Sequence, residues 1–168
     1  MLGQAQDQPT KKFQFGVSYA ALLEEQNYKN PFSAYANYQI KKWDNIDLSA
    51  GFRTFYFRTD DKQFLSNKWG YNPNVVGSIY VLKNQFNFYA GIGYYTELST
   101  IRITDVFARE TRDVKFTSDG FSLNPGVKFF VHPNIFFDAN WLILRLKTEG
   151  SPNYGSSNYL NLGLGVAF

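Results

Sequence analysis

The sequence predicts an all-β fold: an eight-stranded antiparallel up-and-down transmembrane β-barrel with short periplasmic turns and longer extracellular loops. Three observations carry that expectation. In the final stretch every second residue is apolar (Leu160, Leu162, Leu164, Val166, Phe168), with Asn161, Gly163, Gly165 and Ala167 between. Successive side chains on a strand point to opposite faces, so this strand has one greasy face and one thin face, and it stops on an aromatic residue of the greasy one. Next, aromatic residues make up 19% of the chain, yet mean hydropathy is only −0.34. No apolar run reaches the ~18 residues of a transmembrane helix. A barrel reconciles the two, because lipid-facing and lumen-facing residues cancel in any window average. Finally, long connections follow strands 1, 3, 5 and 7, and short ones follow strands 2, 4 and 6. A meander then gathers the short turns and both termini at one end.

Taken in order, strand 1 spans 13–23, with Phe13, Phe15, Val17 and Tyr19 against Gln14, Gly16, Ser18 and Ala20. Strand 2 spans 32–42, with Phe32, Ala34, Ala36, Tyr38 and Ile40 on one face and Ser33, Tyr35, Asn37, Gln39 and Lys41 on the other. Asp44-Asn45 makes a hairpin turn into strand 3, 46–58, where Ile46, Leu48, Ala50, Phe52 and Tyr56 oppose Asp47, Ser49, Gly51 and Arg53. A polar stretch, 59–73, reads as a long loop. Strand 4, 74–82, is apolar on both faces, and Lys83-Asn84-Gln85 turns into strand 5. There Phe88, Ala90, Ile92 and Tyr94 oppose Tyr89, Gly91, Gly93 and Glu97, with loose alternation to Phe107. A charged tip, Arg109 to Asp113, leads back to strand 6, 120–131, in which Phe121, Leu123, Val127 and Phe129 oppose Ser122, Asn124, Gly126 and Lys128. Pro125 lies inside that strand and cannot donate to the ladder, which marks a bulge. His132-Pro133-Asn134 turns into strand 7, 135–146, and a Gly/Ser/Asn/Pro loop, 148–158, precedes strand 8.

Charge decides which face meets lipid. The greasy face carries no charge through the middle of the strands, whereas the thin face carries Lys41, Asp47, Arg53, Glu97, Lys128 and Asp138, three of each sign. A solvated exterior would hold many more charges, unbalanced. A closed interior needs few and needs them paired, because an unpaired buried charge is very costly. Eight strands leave an interior just wide enough to be filled by side chains, so glycines on this face make room for Arg, Lys and Tyr. The six charges therefore read as a lumen network that plugs the barrel rather than a pore. Aromatics near both ends of the greasy face fit the two girdles of a membrane barrel.

Composition excludes several classes. A formal net charge of +3, scattered along the chain, gives no nucleic-acid footprint. The absence of cysteine excludes disulfides, cysteine-based zinc sites and a thiol nucleophile. At 168 residues the chain is one domain by size, 13–168, preceded by an N-terminal segment, 1–12. Gly3-Gln4-Ala5 has the small-x-small form of a signal-peptide cleavage site without the preceding charged and apolar regions, so that segment reads as a signal-peptide remnant.

Two stretches resemble the small OmpA/OmpX-type outer-membrane barrels: the terminal strand, and Phe121-Ser-Leu-Asn-Pro-Gly-Val-Lys-Phe-Phe-Val-His-Pro-Asn134. The resemblance implies the outer membrane of a Gram-negative bacterium. It also implies that Asn161, Gly163, Val166 and Phe168 form the signal read by the barrel-assembly machinery. The OmpA-like peptidoglycan-binding domain is not part of this sequence. Lipid and lipopolysaccharide are the expected surroundings, and a larger outer-membrane protein complex is the further expected partner.

Catalysis finds little footing. A lipid A deacylase-like enzyme needs a histidine beside a serine, and the single histidine, His132, sits in a short turn with no serine next to it. Metal ligands are equally sparse, and no cofactor is expected. The segment around Ile101, Ile103, Arg109, Glu110 and Arg112 is the candidate interaction hairpin, because strands that continue past the membrane expose edges to a partner. The expected function is a non-enzymatic structural or accessory barrel. The alternatives are a lipid-modifying enzyme and a soluble lipocalin-like ligand-binding barrel.

Overall fold

The computed structural model describes residues 11–22, 31–60, 65–105, 110–150 and 152–168. They form eight strands: β1 (Phe13–Leu22), β2 (Phe32–Trp43), β3 (Ile46–Asp60), β4 (Leu65–Val81), β5 (Phe86–Asp105), β6 (Glu110–His132), β7 (Ile135–Thr148) and β8 (Tyr154–Ala167). Each pairs antiparallel with its neighbour in sequence, and β1 pairs with β8 from Gln14↔Ala167 to Leu22↔Tyr159, closing the ring. The proposed signal-peptide remnant lies almost wholly outside the described residues.

The barrel is oily outside and polar within. Phe15, Phe88 and Leu162 are 42%, 49% and 60% exposed, whereas Arg53 and Lys128 are 3% exposed each. That orientation rules out a soluble ligand-binding barrel, whose apolar face would line the interior. At the short-turn end Phe13 packs on Tyr38 (5.0 Å) and Phe15 on Phe168 (5.6 Å), and at the loop end Tyr56 packs on Trp69 (4.8 Å).

Several expected boundaries are corrected. β4 begins at Leu65 rather than 74, so most of the expected 59–73 loop is strand. Asn67, Trp69 and Tyr71 stand opposite Arg58, Tyr56 and Thr54, continuing the outward row. The charged tip is shorter than expected, because Glu110, Arg112 and Asp113 already belong to β6. β8 begins at Tyr154, which shortens the expected 148–158 loop.

Pro125 makes no bulge. Its pairing with Ala90 of β5 is kept, and the β6–β7 register is unchanged from Leu123↔Ile143 to Gly126↔Asn140, with the two intervening positions unpaired. Phe130 donates its N–H toward β5, so odd-numbered residues of β6 aim at β7. The gap thus falls on the side where Pro125 has no N–H to give. Pro73 leaves the same gap between β4 and β5 while still pairing with Phe52. The true irregularities are elsewhere, between Gln39 and Lys41 and between Phe130 and His132.

Candidate functional site

The interior is layered. Nearest the short turns, Tyr35, Phe136 and Ala167 form an apolar cluster backed by Phe130. Toward the loops, Ala20, Phe55, Phe57, Tyr95, Leu142, Leu144 and Tyr159 form a larger one. The sequence reading placed Ala20, Tyr35 and Ala167 on this face but did not foresee that Phe55, Phe57, Phe136, Leu142 and Leu144 join them in two apolar clusters. Glycine permits the close approach of the rings. A Cβ on Gly16 would lie 2.5 Å from the Tyr35 ring, and one on Gly126 would lie 2.5 Å from the Tyr89 ring.

Between the clusters sits the polar network. Arg53, on β3, donates from Nη1 to Asn140 Oδ1 (2.8 Å), and its Nη2 lies 3.7 Å from Asp138 Oδ2. Tyr89 donates its hydroxyl to Asp138 Oδ1 (2.7 Å), and Asn140 Nδ2 donates to Asp138 Oδ2 (3.3 Å). Asn161 Nδ2, from β8, donates to Asn140 Oδ1 (2.9 Å). The Arg53 guanidinium lies 4.6 Å from the Tyr35 ring centre. The Lys128 ammonium donates to Gln14 Oε1 and sits 4.9 Å from the Tyr89 ring and 5.2 Å from the Phe136 ring. Every one of these partners is fixed on a strand, so the hydrogen bonds cross-brace β1, β3, β5, β6, β7 and β8, and the stacking of Arg53 on Tyr35 adds β2.

The six charges assigned to the lumen therefore do not form one group. Arg53, Lys128 and Asp138 share the central network. Glu97 pairs instead with Lys68 (3.1 Å) and accepts a hydrogen bond from Ser99 (3.1 Å), on the loop side. Asp47 is buried at the short-turn end among Gln39, Lys42 and Tyr80. Lys41 is a correction. The irregularity at Ile40 turns it outward, where it is exposed with its ammonium 4.8 Å from the Trp43 ring. The sequence reading placed Gln14, Tyr89 and Asn140 on the lumen face without giving them a part in the network, and it missed Lys68. Lys68 had a legible signal, since it shares parity with Gly70 and Asn72, both of which are buried.

The terminal strand divides by face. Asn161 is fully buried in the network, and Gly163 packs against the backbone of Val17 and Ser18. Val166 and Phe168 face outward, and Phe168 N donates to Phe13 O (2.9 Å). In the candidate hairpin, β5 and β6 remain paired to Asp105↔Glu110. Arg102 grips Asp113 through two bonds, Nε to Oδ1 (2.9 Å) and Nη2 to Oδ2 (3.2 Å). That grip holds the Asp113 carboxyl below its ordinary pKa and raises the Arg102 guanidinium. Ile101 is half-buried and Arg112 is exposed. Arg109 and the side chains of Ile103 and Glu110 lie outside the described residues.

Chemistry of an enzymatic kind is poorly served. His132 is exposed, and its Nδ1 accepts a hydrogen bond from Asn134 N (3.2 Å). Among the described residues no group of three His, Asp or Glu side chains is placed to hold a metal ion.

The comparisons with known proteins agree with this architecture. No curated protein matches the sequence. Among solved structures, Ail, the attachment invasion locus protein of Yersinia pestis, is similar at TM-score 0.61 and 14% identity, covering 94% of this chain and 97% of that one. Neisserial surface protein A is similar at TM-score 0.62 and 16% identity, covering 93% and 96%. The N-terminal β-barrel domain of Pseudomonas aeruginosa OprF is similar at TM-score 0.52 and 14% identity, covering 96% and 100%. At these identities the likeness is one of fold. The family model described as the outer membrane protein beta-barrel domain matches residues 2–168. The chain belongs to that family, and its place is the bacterial outer membrane.

Proposed function

We propose that this barrel is a non-enzymatic docking protein that engages other envelope proteins by strand addition to its β5–β6 hairpin. One observation carries the reading: β6 outruns β7. Its pairing with β5 extends to Glu110, whereas its pairing with β7 begins at Ser118. From the outward-facing Tyr94↔Phe121 pair to Asp105, β5 adds eleven residues. At ~3.3 Å per residue that is roughly 35 Å along the strand, well beyond the hydrocarbon. On the β7 side of that extension no described strand lies beside Asp113 and Lys115, and odd-numbered residues aim their N–H and C=O groups that way. Such an edge is a template for an incoming strand. The Arg102–Asp113 grip keeps it extended. The exposed turn position of the only histidine supports the non-enzymatic half of the reading. The remaining partners on this reading are lipopolysaccharide around the wall and the barrel-assembly machinery acting on the terminal strand.

Lys115→Pro is the test. It removes one edge N–H while leaving the bonds to β5 in place, because those come from even-numbered residues. A photo-crosslinker at Arg112 in native membranes is expected to capture a partner, with capture lost in Lys115→Pro and kept in Lys115→Ala. Equal capture by both variants overturns strand addition.

A further inference from the structure

The short-turn mouth of the barrel holds a pocket that the central network does not use. It encloses about 200 Å³, room for a group the size of one amino acid. Asp47, Tyr80 and Phe130 form its inner wall, while the exposed Lys42, Lys83 and His132 and the half-buried Lys11 stand around it. Two features of this wall point to a ligand. Asp47 is 4% exposed, and its Oδ1 has no hydrogen-bond partner. Buried carboxylate oxygens are ordinarily satisfied, so this one calls for a donor. Lys11 lies 5.5 Å from the Phe130 ring centre, and burial lowers its pKa, so its charge is partly desolvated and calls for an anion.

The charges exclude the simple ligands. A lone anion would sit well among Lys11, Lys42 and Lys83 but would face the Asp47 carboxylate. A lone cation would satisfy Asp47 but would meet three ammonium groups. A group carrying both charges satisfies both walls. We propose that this pocket binds a zwitterionic end group, an ammonium beside a carboxylate or phosphate, presented from the periplasmic side. The ammonium lies against the Asp47 carboxylate, and the anionic oxygens lie among Lys11, Lys42 and Lys83. A free α-amino acid and an ethanolamine-phosphate lipid headgroup share this chemistry.

The full chain in a nonionic detergent allows a direct test by amide NMR titration. Alanine and phosphoethanolamine are the zwitterionic probes, and acetate, inorganic phosphate and butylamine are the single-charge controls. Both zwitterions are expected to shift the amides of Lys42, Asp47, Lys83 and His132, and to bind about tenfold more tightly than any control. Asp47→Asn should weaken zwitterion binding by about tenfold while leaving phosphate unaffected or improved. Lys42→Ala with Lys83→Ala, at exposed positions, should weaken both zwitterions and phosphate without disturbing the fold. Nanodiscs with and without phosphatidylethanolamine separate the sources. If the lipid is the occupant, the same amides shift between the two discs and alanine no longer titrates. If a free amino acid is the occupant, alanine titrates equally in both. Phosphate binding as tightly as phosphoethanolamine would overturn the proposal in favour of a plain anion site, and silence toward every probe would remove the site altogether.

Discussion

Asp138→Asn removes the anion that faces two buried cations, Arg53 and Lys128, while keeping the side chain's size. The Tyr89 hydroxyl can still donate to an amide oxygen, so what is lost is mainly charge. Breaking a buried ion pair from one side costs about 3–5 kcal/mol, because the partner is left buried and uncompensated. The Asn140 Nδ2 bond at 3.3 Å is long, and its weakening adds at most about 1 kcal/mol. A loss of roughly 4 kcal/mol is therefore expected, a large share of the ~5–15 kcal/mol typical of a whole domain. Arg53→Met with Asp138→Leu removes the Arg53–Asp138 pair but leaves Lys128 without its anion, so it should recover only about half of that loss, the part that belongs to the pair. Reversible urea unfolding in lipid vesicles reads the difference through Trp43, Trp69 and Trp141, all of which face outward. If Asp138→Asn shifts stability by less than about 1 kcal/mol, or if the double variant is worse than the single one, the lumen network is not the brace described above.

Gly126→Ala drives a methyl into the Tyr89 ring and the Asn140 Cβ (2.5 and 2.6 Å), so it should cost about 1–3 kcal/mol in the same unfolding assay, with partial rescue by Tyr89→Leu. Because two apolar clusters flank the polar network, the purified chain should show no discrete conductance steps in planar bilayers; regular single-channel steps would contradict a filled lumen. The Asp113 carboxyl is depressed in the folded hairpin, so its bond with Arg102 is fully present above the ordinary carboxylate pKa and is lost as pH falls through the depressed one. The Arg102 Nε–H resonance should accordingly broaden or move only under strongly acidic conditions, and movement near neutral pH would refute the pairing. Lys41→Ala should change stability by no more than about 0.5 kcal/mol, as suits an exposed side chain, whereas a buried lumen charge would cost several times that.

The alternation of Phe15, Phe88 and Leu162 against Gly16, Tyr89 and Gly163 made the wall of the barrel legible, because period two is a direct image of the pleat. It failed where the pleat itself breaks. Nothing in Gln39-Ile40-Lys41 announces the irregularity that reverses Lys41, since that reversal depends on the register with Ser49 and Leu48 across the sheet. β4 was obscured by Pro73 and by its asparagines, which are loop residues by habit but here point Asn72 into a polar interior. The outward pair Trp69 and Tyr71, two residues apart, was the available clue. The apolar clusters went unread because Phe55, Phe57, Leu142 and Leu144 make their strands oily on both faces, and a pattern of that kind does not say which side is inside. Dividing the charges into separate groups needed three-dimensional placement, as in the meeting of Arg53 with Asp138 and Asn140.

The ladder between β1 and β8 joins Gln14 to Ala167, two of the most distant links in the chain. Until that clasp shuts, each of the two strands shows a row of bare amides to its surroundings, which acyl tails cannot satisfy. An open hoop is therefore no resident of the bilayer, and the chain can rest there only with its two ends joined.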